Sequence, residues 1–595
     1  MTRLVHELRR RKVLRVGALY VLGAWVALQG ADLAFPGLGI PGEAIRYVWI
    51  GAIAGLPIVL LFGWRYDITP HGIRRTPASA EAAPVPLALR RSDYAILAAL
   101  LLGSGLVLFQ MTAEIRTLPS IVAPARADRA IPRNSIAVLP MENVTGDPDQ
   151  EYFAAGMHDA LTTALSMIGS LTVKASSSTN VYRNVVQPAL QTGRELGAAH
   201  LVEGSVFRTG GRLRINVRLI STASEASIWS ESYERPIEDV LTLQNELART
   251  IAERIQVTLT PEERVRLASA RAVNPEVYEV YLRGMYHLQQ YTAGGIQTGL
   301  EHLYRAIELD PEDPLAYAGL AQGLSLIGHG ANPPPDAFVR AREAAVRALA
   351  IDPLFPEAHA AMGQIQLYHD WDWDGAEASF RRALQLNPNH EFAHGHYGWL
   401  LALMGDMPGA IEHMARAQQI APVTPIFTAW LGWLYWGDGQ PERAVAEAQK
   451  SLEVNPSFPW GLYVLGGAYA AQERFDEAIA TFERLRAIRP NLGDWGLGFT
   501  YAQTGRREQA LEVTARLAES PGQKDLLMLG AIHASLGDVD EAMRWLEAAR
   551  EAHVDWFPYI CTDSGYDPFI ERALETLRDD PRFRALIAPL KIPGA

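Results

Sequence analysis

Apolar residues are distributed in three different ways along this chain of 595 residues. Near the N-terminus they form three long runs, at about 16–35, 45–64 and 94–111, and each run is close to the ~20 residues that a helix needs to cross a membrane. Residues 134–260 carry short apolar runs separated by turn residues, which predict strands alternating with amphipathic helices. From about 275 to 555 the apolar positions have helical spacing, and the pattern repeats.

The repeat is marked by a proline that closes each unit. The marker prolines are Pro311, Pro353, Pro388, Pro422, Pro456 and Pro490. The intervals between them are 42, 35, 34, 34 and 34 residues. A glycine and an alanine also recur within the unit, as at Gly398 and Ala410. Small residues at these places allow two helices to approach closely, and a proline after the second helix ends it without cost, so each unit is predicted to be a pair of antiparallel helices.

A 34-residue period with these markers resembles the tetratricopeptide repeat (TPR) family. The unit that begins at Glu391 carries the family pattern at Tyr397, Gly398, Leu401, Ala410, Met414, Ala417 and Pro422. The resemblance implies an α-solenoid of about eight units over 275–555 and a C-terminal cap over 556–595. Repeat arrays of this kind bind other molecules and rarely catalyse reactions.

Residues 134–260 are predicted to form one compact α/β domain. Its elements include a strand at Ser135–Pro140, a helix at Asp149–Met167, and a hairpin over 200–221 whose Gly210-Gly211 turn supplies the positive φ that hairpin turns need. Several stretches, among them Tyr152–Met157 and Ile228–Tyr233, resemble the TolB amino-terminal-like (FlgO-like) family. This resemblance implies a non-enzymatic, envelope-facing domain that is often joined to TPRs.

The three N-terminal apolar runs are predicted to be transmembrane helices. Positive residues precede the first run and separate the second from the third, at Arg9, Arg10, Arg11, Lys12, Arg15, Arg65, Arg74, Arg75, Arg90 and Arg91. Because positive loops stay in the cytoplasm, the C-terminal domains are expected in the periplasm, and the orientation inverts if the first run does not insert. Stretches 7–16 and 62–73 also resemble the membrane leader of bacterial TPR proteins with a TolB-like domain. We therefore expect a multi-pass inner-membrane protein with a membrane domain at 1–111 and a linker at 112–133.

Composition argues against several function classes. The net charge of −13 is unlike that of nucleic-acid binders, which show a basic face. The single cysteine, Cys561, excludes an intramolecular disulfide and a cysteine-rich zinc site. The chain contains no P-loop, kinase loop, G-x-S-x-G or H-E-x-x-H motif, and His158-Asp159 with Ser176–Ser178 is a weak hint of a hydrolase set. We therefore expect no enzyme activity, no catalytic residue and no cofactor.

Two histidines raise the question of a metal site. His390 and His394 lie one helical turn apart, which would suit a metal pair. No acidic or cysteine residue has ligand spacing nearby, so core or surface histidines are the favoured interpretation and we expect no metal.

The candidate partner-binding site is a groove along the first helices of the TPR units. In TPR arrays certain positions of these helices face the concave groove, and spacings of three to four residues place them on one helix face. Here they carry Phe392, Trp399, Trp433, Trp436, Trp460, Tyr463, Trp495 and Phe499. Such a groove would suit an extended or helical peptide, because Trp and Tyr dominate binding hot spots. The alternative is that these aromatic side chains pack between helices.

The sequence thus predicts a mostly α chain with transmembrane helices, a small α/β TolB-like domain and a TPR α-solenoid. The predicted function is that of a membrane-anchored scaffold or assembly factor, which binds protein partners or a larger membrane complex through the TPR groove and contacts lipid through three helices. The alternative function is a sensor or regulatory membrane subunit whose TolB-like and TPR domains bind a ligand and signal across the membrane.

Overall fold

The computed structural model describes most of the C-terminal four-fifths of the chain. The described residues are Tyr20, Ala52, Gly55, 66–69, 72–75, and 131–592 without 148–149, 210, 269–272, 291, 331–332 and 562–566. The chain divides into two compact units, Met1–Leu118 and Pro119–Ala595. In the first unit, strands β1 (Tyr66–Thr69) and β2 (Gly72–Arg75) pair as an antiparallel hairpin.

The predicted membrane location is contradicted by the structure. None of the helices in the described part of the chain combines the length and the apolarity needed to cross a bilayer. This finding overturns the multi-pass inner-membrane location, the periplasmic side that followed from it and the lipid contact through three helices. Of the three apolar runs behind that prediction, only Tyr20, Ala52 and Gly55 are described, and the rest of 16–35, 45–64 and 94–111 lies outside the described residues.

The second unit begins with a mixed sheet of six strands. The strands are β3 (Ser135–Val138), β4 (Glu142–Asn143), β5 (Thr172–Val173), β6 (His200–Thr209), β7 (Arg212–Ser221) and β8 (Ser227–Pro236). They lie in the order β5-β3-β6-β7-β8, and β4 also pairs with β6. The predicted hairpin is β6–β7, with Leu201 opposite Ile220, and Gly211 in its turn has φ +76°.

Helices pack against both faces of this sheet. The helices of the α/β domain are α1 (Glu151–Ser166), α2 (Ser176–Thr179), α3 (Ala189–Leu196), α4 (Val240–Arg254) and α5 (Pro261–Ala268). The predicted apolar face of α1 is buried against the sheet and against α4, since Phe153, Met157 and Leu161 are at most 1 % exposed. Tyr278 and Leu282, from the helix array, belong to the same hydrophobic core.

Among the described residues, the remainder of the second unit consists of eight helix hairpins and a C-terminal segment. The hairpin helices are α6 (Pro275–Leu288), α7 (Ala293–Leu309), α8 (Pro314–Gly328), α9 (Ala337–Ile351), α10 (Pro356–Ile365), α11 (Trp373–Leu386), α12 (Glu391–Leu403), α13 (Met407–Ile420), α14 (Pro425–Gly437), α15 (Pro441–Val454), α16 (Pro459–Ala471), α17 (Phe475–Ile488), α18 (Pro490–Gln503), α19 (Arg507–Glu519), α20 (Gln523–Ser535) and α21 (Val539–Glu551). The mostly helical fold with a TPR-type array is therefore confirmed.

The markers of the repeat have the structural roles that the sequence predicts, with one exception. A Cβ at Gly398 would lie 3.0 Å from the carbonyl oxygen of Ala410, so the two helices of that hairpin do approach closely. Pro422 and Pro456 lie in turns after second helices. Pro490 instead is the first residue of α18, where the missing N–H costs nothing.

The α/β domain is hydrogen-bonded to the turns between the repeats. The side-chain amide of Asn389 donates to the carbonyl oxygens of Ser166 and Leu171 at 3.0 and 3.1 Å. Its oxygen accepts from the backbone N–H of Val173 at 3.3 Å. Lys174 is 2 % exposed and donates to the carbonyl oxygen of Gln419 at 2.8 Å. These bonds fix the β5 edge of the sheet to the turn before α12 and to the last turn of α13.

Candidate functional site

The structure brings the predicted groove residues together on the first helices of the repeats. We call Phe392, Trp399, Trp433, Trp436, Trp460, Tyr463, Trp495 and Phe499 the aromatic groove. The ring centroid of Trp433 lies 5.2 Å from that of Tyr463 and 5.6 Å from that of Trp460. Rings on successive repeats are therefore in direct contact from Trp399 through Trp433 and Tyr463 to Trp495.

The aromatic groove is covered by the chain's own C-terminal segment, which we define as the described residues 553–561 and 567–592. This segment contains the helices α22 (Pro568–Leu574) and α23 (Pro581–Ile587). Six of the eight groove residues are buried, from 0 % exposed at Tyr463 to 6 % at Trp495, and Phe392 and Trp460 are half-buried. The side chains expected to meet a partner thus meet residues of this chain.

Two aromatic side chains of the segment make most of the ring contacts. Trp556 lies against three groove rings, with centroid distances of 6.1 Å to Trp433, 5.7 Å to Trp460 and 6.1 Å to Trp495. Phe569 stacks on Phe499 at 5.1 Å and meets Trp436 edge-on at 5.0 Å. Such edge-on and stacked pairs stabilise by about 0.5–1.5 kcal/mol each beyond the burial of their area.

A buried carboxylate anchors the second half of the segment. The hydroxyl of Tyr463 donates to one carboxylate oxygen of Asp567 at 3.1 Å. The other oxygen accepts from the backbone N–H of Phe569 at 3.0 Å, so Asp567 is the N-cap of α22, and Pro568 follows it at the first helical position. Asp567 is 2 % exposed, and burial raises the pKa of its carboxyl to about 6.

A second buried carboxylate, that of Asp555, lies between the second and the eighth repeat. An oxygen of Asp555 is 3.0 Å from Nδ1 of His329, at the end of α8, and 3.2 Å from Nζ of Lys524, at the start of α20. Lys524 also donates to the carbonyl oxygen of His329 at 2.9 Å. Burial alone would raise the pKa of Asp555, but Lys524 and His329 together hold it below its usual value. The eighth repeat is therefore tied to the second through the C-terminal segment.

The start and the end of the segment are held by the third repeat. His553 stacks on Trp371 with 4.0 Å between ring centroids, and its Nε2–H donates to the carbonyl oxygen of His369 at 2.6 Å. Trp371 follows a π-helical turn (Gln366–Asp370) and has φ +55°, which aims its ring at His553. The indole N–H of Trp373 donates to the carbonyl oxygen of Leu590 at 3.1 Å.

Trp495 fits the alternative interpretation, in which the aromatic side chains pack between helices. Its indole N–H is hydrogen-bonded within the array, where it donates to Asp525 at 2.7 Å, and the side chain of Asn491 donates to the same carboxylate at 2.6 Å. Asp525 in turn accepts from the backbone N–H of Gly522 and caps α20. Partner binding by the aromatic groove stays a prediction.

The histidine pair considered for a metal is divided between two structural roles. His390 caps α12 by accepting from the backbone N–H of Ala393 at 3.3 Å. His394 lies with its Nδ1 2.9 Å from Nδ1 of His413, and burial lowers its pKa to about 3. Among the described residues there is no group of three or more candidate metal ligands.

The residues that hinted at a hydrolase set are engaged in structural contacts. His158 is fully buried, its Nε2 lies 3.1 Å from the carbonyl oxygen of Val138 and 2.9 Å from the hydroxyl of Thr179, and burial lowers its pKa. The hydroxyl of Ser178 accepts from the backbone N–H of Val423 at 3.2 Å. Ser178 therefore joins the α/β domain to the array, and His158 packs beneath the sheet.

An open cleft lies on the other face of the sheet. Its volume is about 1010 Å³, and its floor includes Glu203, Ser205, Asn216 and Arg218 of β6 and β7. Val185 and Val186 form one wall and are 46 % and 100 % exposed. An exposed valine pair beside a polar floor is a combination that the sequence pattern did not point to.

Sequence reasoning also missed the covering of the aromatic groove. A signal for it was present, because Asp567-Pro568 and Asp580-Pro581 are helix-start pairs and Trp556, Phe557, Tyr559 and Ile560 are apolar residues beyond the last repeat. These features predicted a cap, but nothing in them indicated which surface the cap would cover.

The comparisons with known proteins support the repeats. The tetratricopeptide repeat family model matches residues 371–425 and 431–492, and a second model of the same description matches 526–548. The C-terminal part of the chain thus contains TPR repeats.

Similar proteins of known sequence come from several bacteria. A Rhizobium meliloti (strain 1021) protein provisionally named adenylate cyclase 3 is 34 % identical over 227 residues, which is 38 % of this chain and 39 % of that protein. The transcriptional regulator HilA of Salmonella typhimurium is 28 % identical over 144 residues, 24 % of this chain and 26 % of the regulator. The chain therefore spans about two fifths and one quarter of the length of these relatives.

The solved structures that resemble parts of the chain include TPR proteins. A thermophilic TPR protein of Thermus thermophilus has a TM-score of 0.28 and 21 % identity, and the match covers 33 % of this chain and 98 % of that one. PilW, a type IV pilus biogenesis factor, has a TM-score of 0.25 and 20 % identity, with 40 % of this chain and 91 % of that one covered.

Proposed function

We propose that this chain is a non-enzymatic scaffold that binds a partner protein through its TPR array. The observation that supports this best is that the aromatic groove already holds a peptide segment of the chain itself, within the described residues 553–561 and 567–569. Repeat arrays use extended concave surfaces of this kind for binding. We propose that a partner segment takes the same place.

The covering segment also indicates what a partner must supply. Full burial of one large apolar side chain contributes about 1.5–3 kcal/mol, and the segment buries Phe557 and Phe569 in addition to its contacts through Trp556. Its two carboxylates add polar contacts to the groove. A partner segment that replaces it has to match both the apolar burial and the pairing of charge, so a specific partner is expected rather than a broad range of peptides.

The α/β domain is proposed to be TolB-like and to work as one body with the array. Its bonds through Asn389 and Lys174 keep its sheet in a fixed position against the repeats. An assembly factor needs a rigid junction of this kind, because it can hold two partners in a fixed relative orientation only when its own domains do not move. The α/β domain then offers a second surface beside the TPR groove.

A second candidate function is that of a regulatory subunit whose α/β domain binds a ligand. The open cleft of about 1010 Å³ on the outer face of the sheet favours it. The volume of this cleft is at the upper limit for ligand sites, and the cleft is open, whereas ligand sites are usually concave and mostly apolar. A peptide fits such a surface as well as a small molecule, so the scaffold is the function that the geometry supports better.

The non-enzymatic character is part of the proposal. The relative named as a cyclase matches over only 39 % of its own length, so its activity is not carried to this chain. His158 and Ser178 are engaged in packing and in contacts between the α/β domain and the array. The residues gathered in the aromatic groove supply apolar area and hydrogen bonds rather than a nucleophile and base.

Quantitative affinity capture from the source organism tests the scaffold. The tagged wild-type chain is compared with Asp555→Asn, which loosens the C-terminal segment, and with Val185→Ser/Val186→Ser, which changes exposed residues of the cleft only. A stoichiometric partner that is enriched by Asp555→Asn and unaffected by the valine variant supports binding through the groove. A partner lost only in the valine variant places the interface on the cleft, and no stoichiometric partner for any of the three chains overturns the scaffold.

A further inference from the structure

The C-terminal segment presents the same pair of chemical groups to the groove twice. Asp555 is followed by Trp556, and Asp567 is followed, after Pro568, by Phe569. In each pair the carboxylate accepts hydrogen bonds from buried groups of the array while the aromatic ring packs on groove rings. An acidic group beside a large aromatic ring is therefore the unit that this surface holds.

The first pair is recognised by a cation that contacts both of its members. Nζ of Lys524 is 3.2 Å from the carboxylate of Asp555 and 5.0 Å from the ring centroid of Trp556. Lys524 is itself mostly buried, with 12 % of its side chain exposed, and a desolvated ammonium interacts strongly with both a carboxylate and an indole face. His329 adds a second hydrogen-bond donor to the same carboxylate oxygen.

Several titratable groups surround this position. Asp555 faces His329 from α8 and Lys524 from α20, and His329 is stacked on His396 of α12 with 6.1 Å between ring centroids. Nδ1 of His396 is 2.9 Å from the hydroxyl of Tyr368. The side chains of His329 and Lys524 donate hydrogen bonds to Asp555, so the place suits one negative charge.

On the basis of the proposed function, we infer that the partner segment carries a carboxylate next to a large aromatic side chain, and that the chain's own C-terminal segment competes with it for the aromatic groove. The partner is thus an acidic, aromatic peptide rather than a basic or purely aliphatic one. The segment is an intramolecular competitor, and the affinity for the partner is set by how firmly this segment is held.

The strength of this competition can be expressed as the effective concentration of the C-terminal segment at the groove. A segment joined to its own binding surface by a short connection has an effective concentration on the order of 1 mM. A free peptide of the same intrinsic affinity is therefore bound weakly at micromolar concentration, because the binding-competent fraction of the chain is small. Weakening the internal contact raises that fraction, and the apparent affinity for a free peptide rises in proportion.

A defined probe tests the inference on the purified full-length chain. The probe is a fluorescent peptide with the sequence of residues 553–560, His-Val-Asp-Trp-Phe-Pro-Tyr-Ile. Its binding to the wild type is compared by anisotropy with its binding to Asp555→Asn and to Asp555→Asn/Trp556→Ala. The matched control peptide has the same sequence with Asp555→Asn, so it lacks only the negative charge.

We expect the probe to bind the double variant at least tenfold more tightly than the wild type, with the single variant between them. The uncharged control peptide should bind the double variant at least tenfold more weakly than the probe. The single variant keeps all aromatic contacts, so it provides a folded comparison, and circular dichroism verifies the fold of each chain.

Two outcomes overturn the inference. The first is equal binding, or no binding, of the probe to all three folded chains, while hydrogen exchange shows that residues 553–560 are exposed in the double variant. The second is a dimer in light scattering that the probe dissociates, since the occupant is then the C-terminal segment of a second copy. The probe is independent of any cellular partner, so its failure is distinguishable from failure of the capture experiment.

Discussion

The hydroxyl of Tyr463, on the sixth repeat, donates a hydrogen bond of 3.1 Å to Asp567, which lies 104 residues further along the chain. Tyr463 belongs to the surface that the sequence assigns to a partner, and Asp567 caps a helix of the C-terminal segment. The contact joins the candidate binding surface to the element that covers it. The strength of this internal contact therefore determines whether the surface is available.

Replacement of Asp567 by asparagine should change how stability depends on pH. Burial raises the pKa of the Asp567 carboxyl to about 6, above its ordinary value, so the folded chain holds this proton more tightly than the unfolded chain does. The stabilisation that results is complete below about pH 4 and is lost as the pH rises through about 6. At pH 8 the buried carboxylate therefore costs stability that Asp567→Asn avoids, because asparagine still caps the helix.

The measurement is urea unfolding of both chains between pH 5 and pH 8. The variant should gain on the wild type by about 1.5 kcal/mol in free energy of unfolding between pH 5 and pH 8, because a pKa shift of about two units at 1.36 kcal/mol each acts between about pH 4 and pH 6 and roughly half of it falls above pH 5. The comparison with wild type removes the contributions of the buried histidines, which are the same in both chains. A constant difference between the two chains at all pH values would show that Asp567 titrates normally.

Loss of the Phe569 side chain should loosen the C-terminal segment. Phe569 is 3 % exposed and lies between Phe499 and Trp436, so Phe569→Ala leaves a cavity that typically costs about 3–5 kcal/mol. Limited proteolysis should then cut the chain within the segment first, since the cost falls on its docking. Leu354→Ala, at a residue that is 49 % exposed, should change stability by less than about 0.5 kcal/mol. Equal protection of the segment in both variants would contradict this role of Phe569.

Asn389→Ala should weaken the junction between the α/β domain and the array. The side chain of Asn389 makes hydrogen bonds with Ser166, Leu171 and Val173, and their buried backbone groups lose a partner in the variant at a cost of about 1–3 kcal/mol for each unsatisfied group. Hydrogen exchange should accelerate in β5 and in the turn after α1.

The control is Ser457→Ala, at the equivalent turn position two repeats further on. Ser457 is exposed and its backbone N–H donates to Asn455 within the same turn, so the α/β domain is unaffected. Similar exchange rates in β5 for both variants would show that the junction does not depend on Asn389.

Gly398→Ala should destabilise the fourth repeat although alanine is the better helix former. A Cβ at Gly398 lies 3.0 Å from the backbone oxygen of Ala410, which has little room to move. The expected loss is about 1–3 kcal/mol, the usual range for overpacking. Gly294→Ala is the matched control, because no atom lies within 4 Å of the added Cβ and alanine should stabilise that helix by up to about 1 kcal/mol. A gain in stability in both variants would contradict the close approach of the two helices.

The helix array was predictable because its signal is local and repeated. Gly398 and Ala410 lie within one hairpin, and the same pair of positions recurs in later units, so a single sequence contains several independent copies of the evidence. The strands around Gly211 were predictable for a similar reason, since an apolar alternation and a turn signal lie next to each other in the chain.

The covering of the groove was not predictable from the same evidence. The contacts of Trp556 with Trp433 and of Asp555 with His329 join residues that are far apart in sequence, and no period relates them. An aromatic residue on the inner face of a repeat has the same pattern whether a partner or the chain's own terminus covers it. The predicted membrane location was wrong. It rested on hydropathy, on the positions of positive residues and on a resemblance to a membrane leader, whereas the described residues include no membrane-spanning helix.

Hydrogen exchange of residues 553–560, measured for the chain alone and with its captured partner bound, tests the proposed exchange most directly. In the chain alone these residues should be protected, since Phe557, Tyr559 and Ile560 are at most 5 % exposed. Partner binding should expose them while the groove helices α14 and α16 stay protected. Continued protection of residues 553–560 in the complex would show that the partner binds another surface and that the aromatic groove is part of the core.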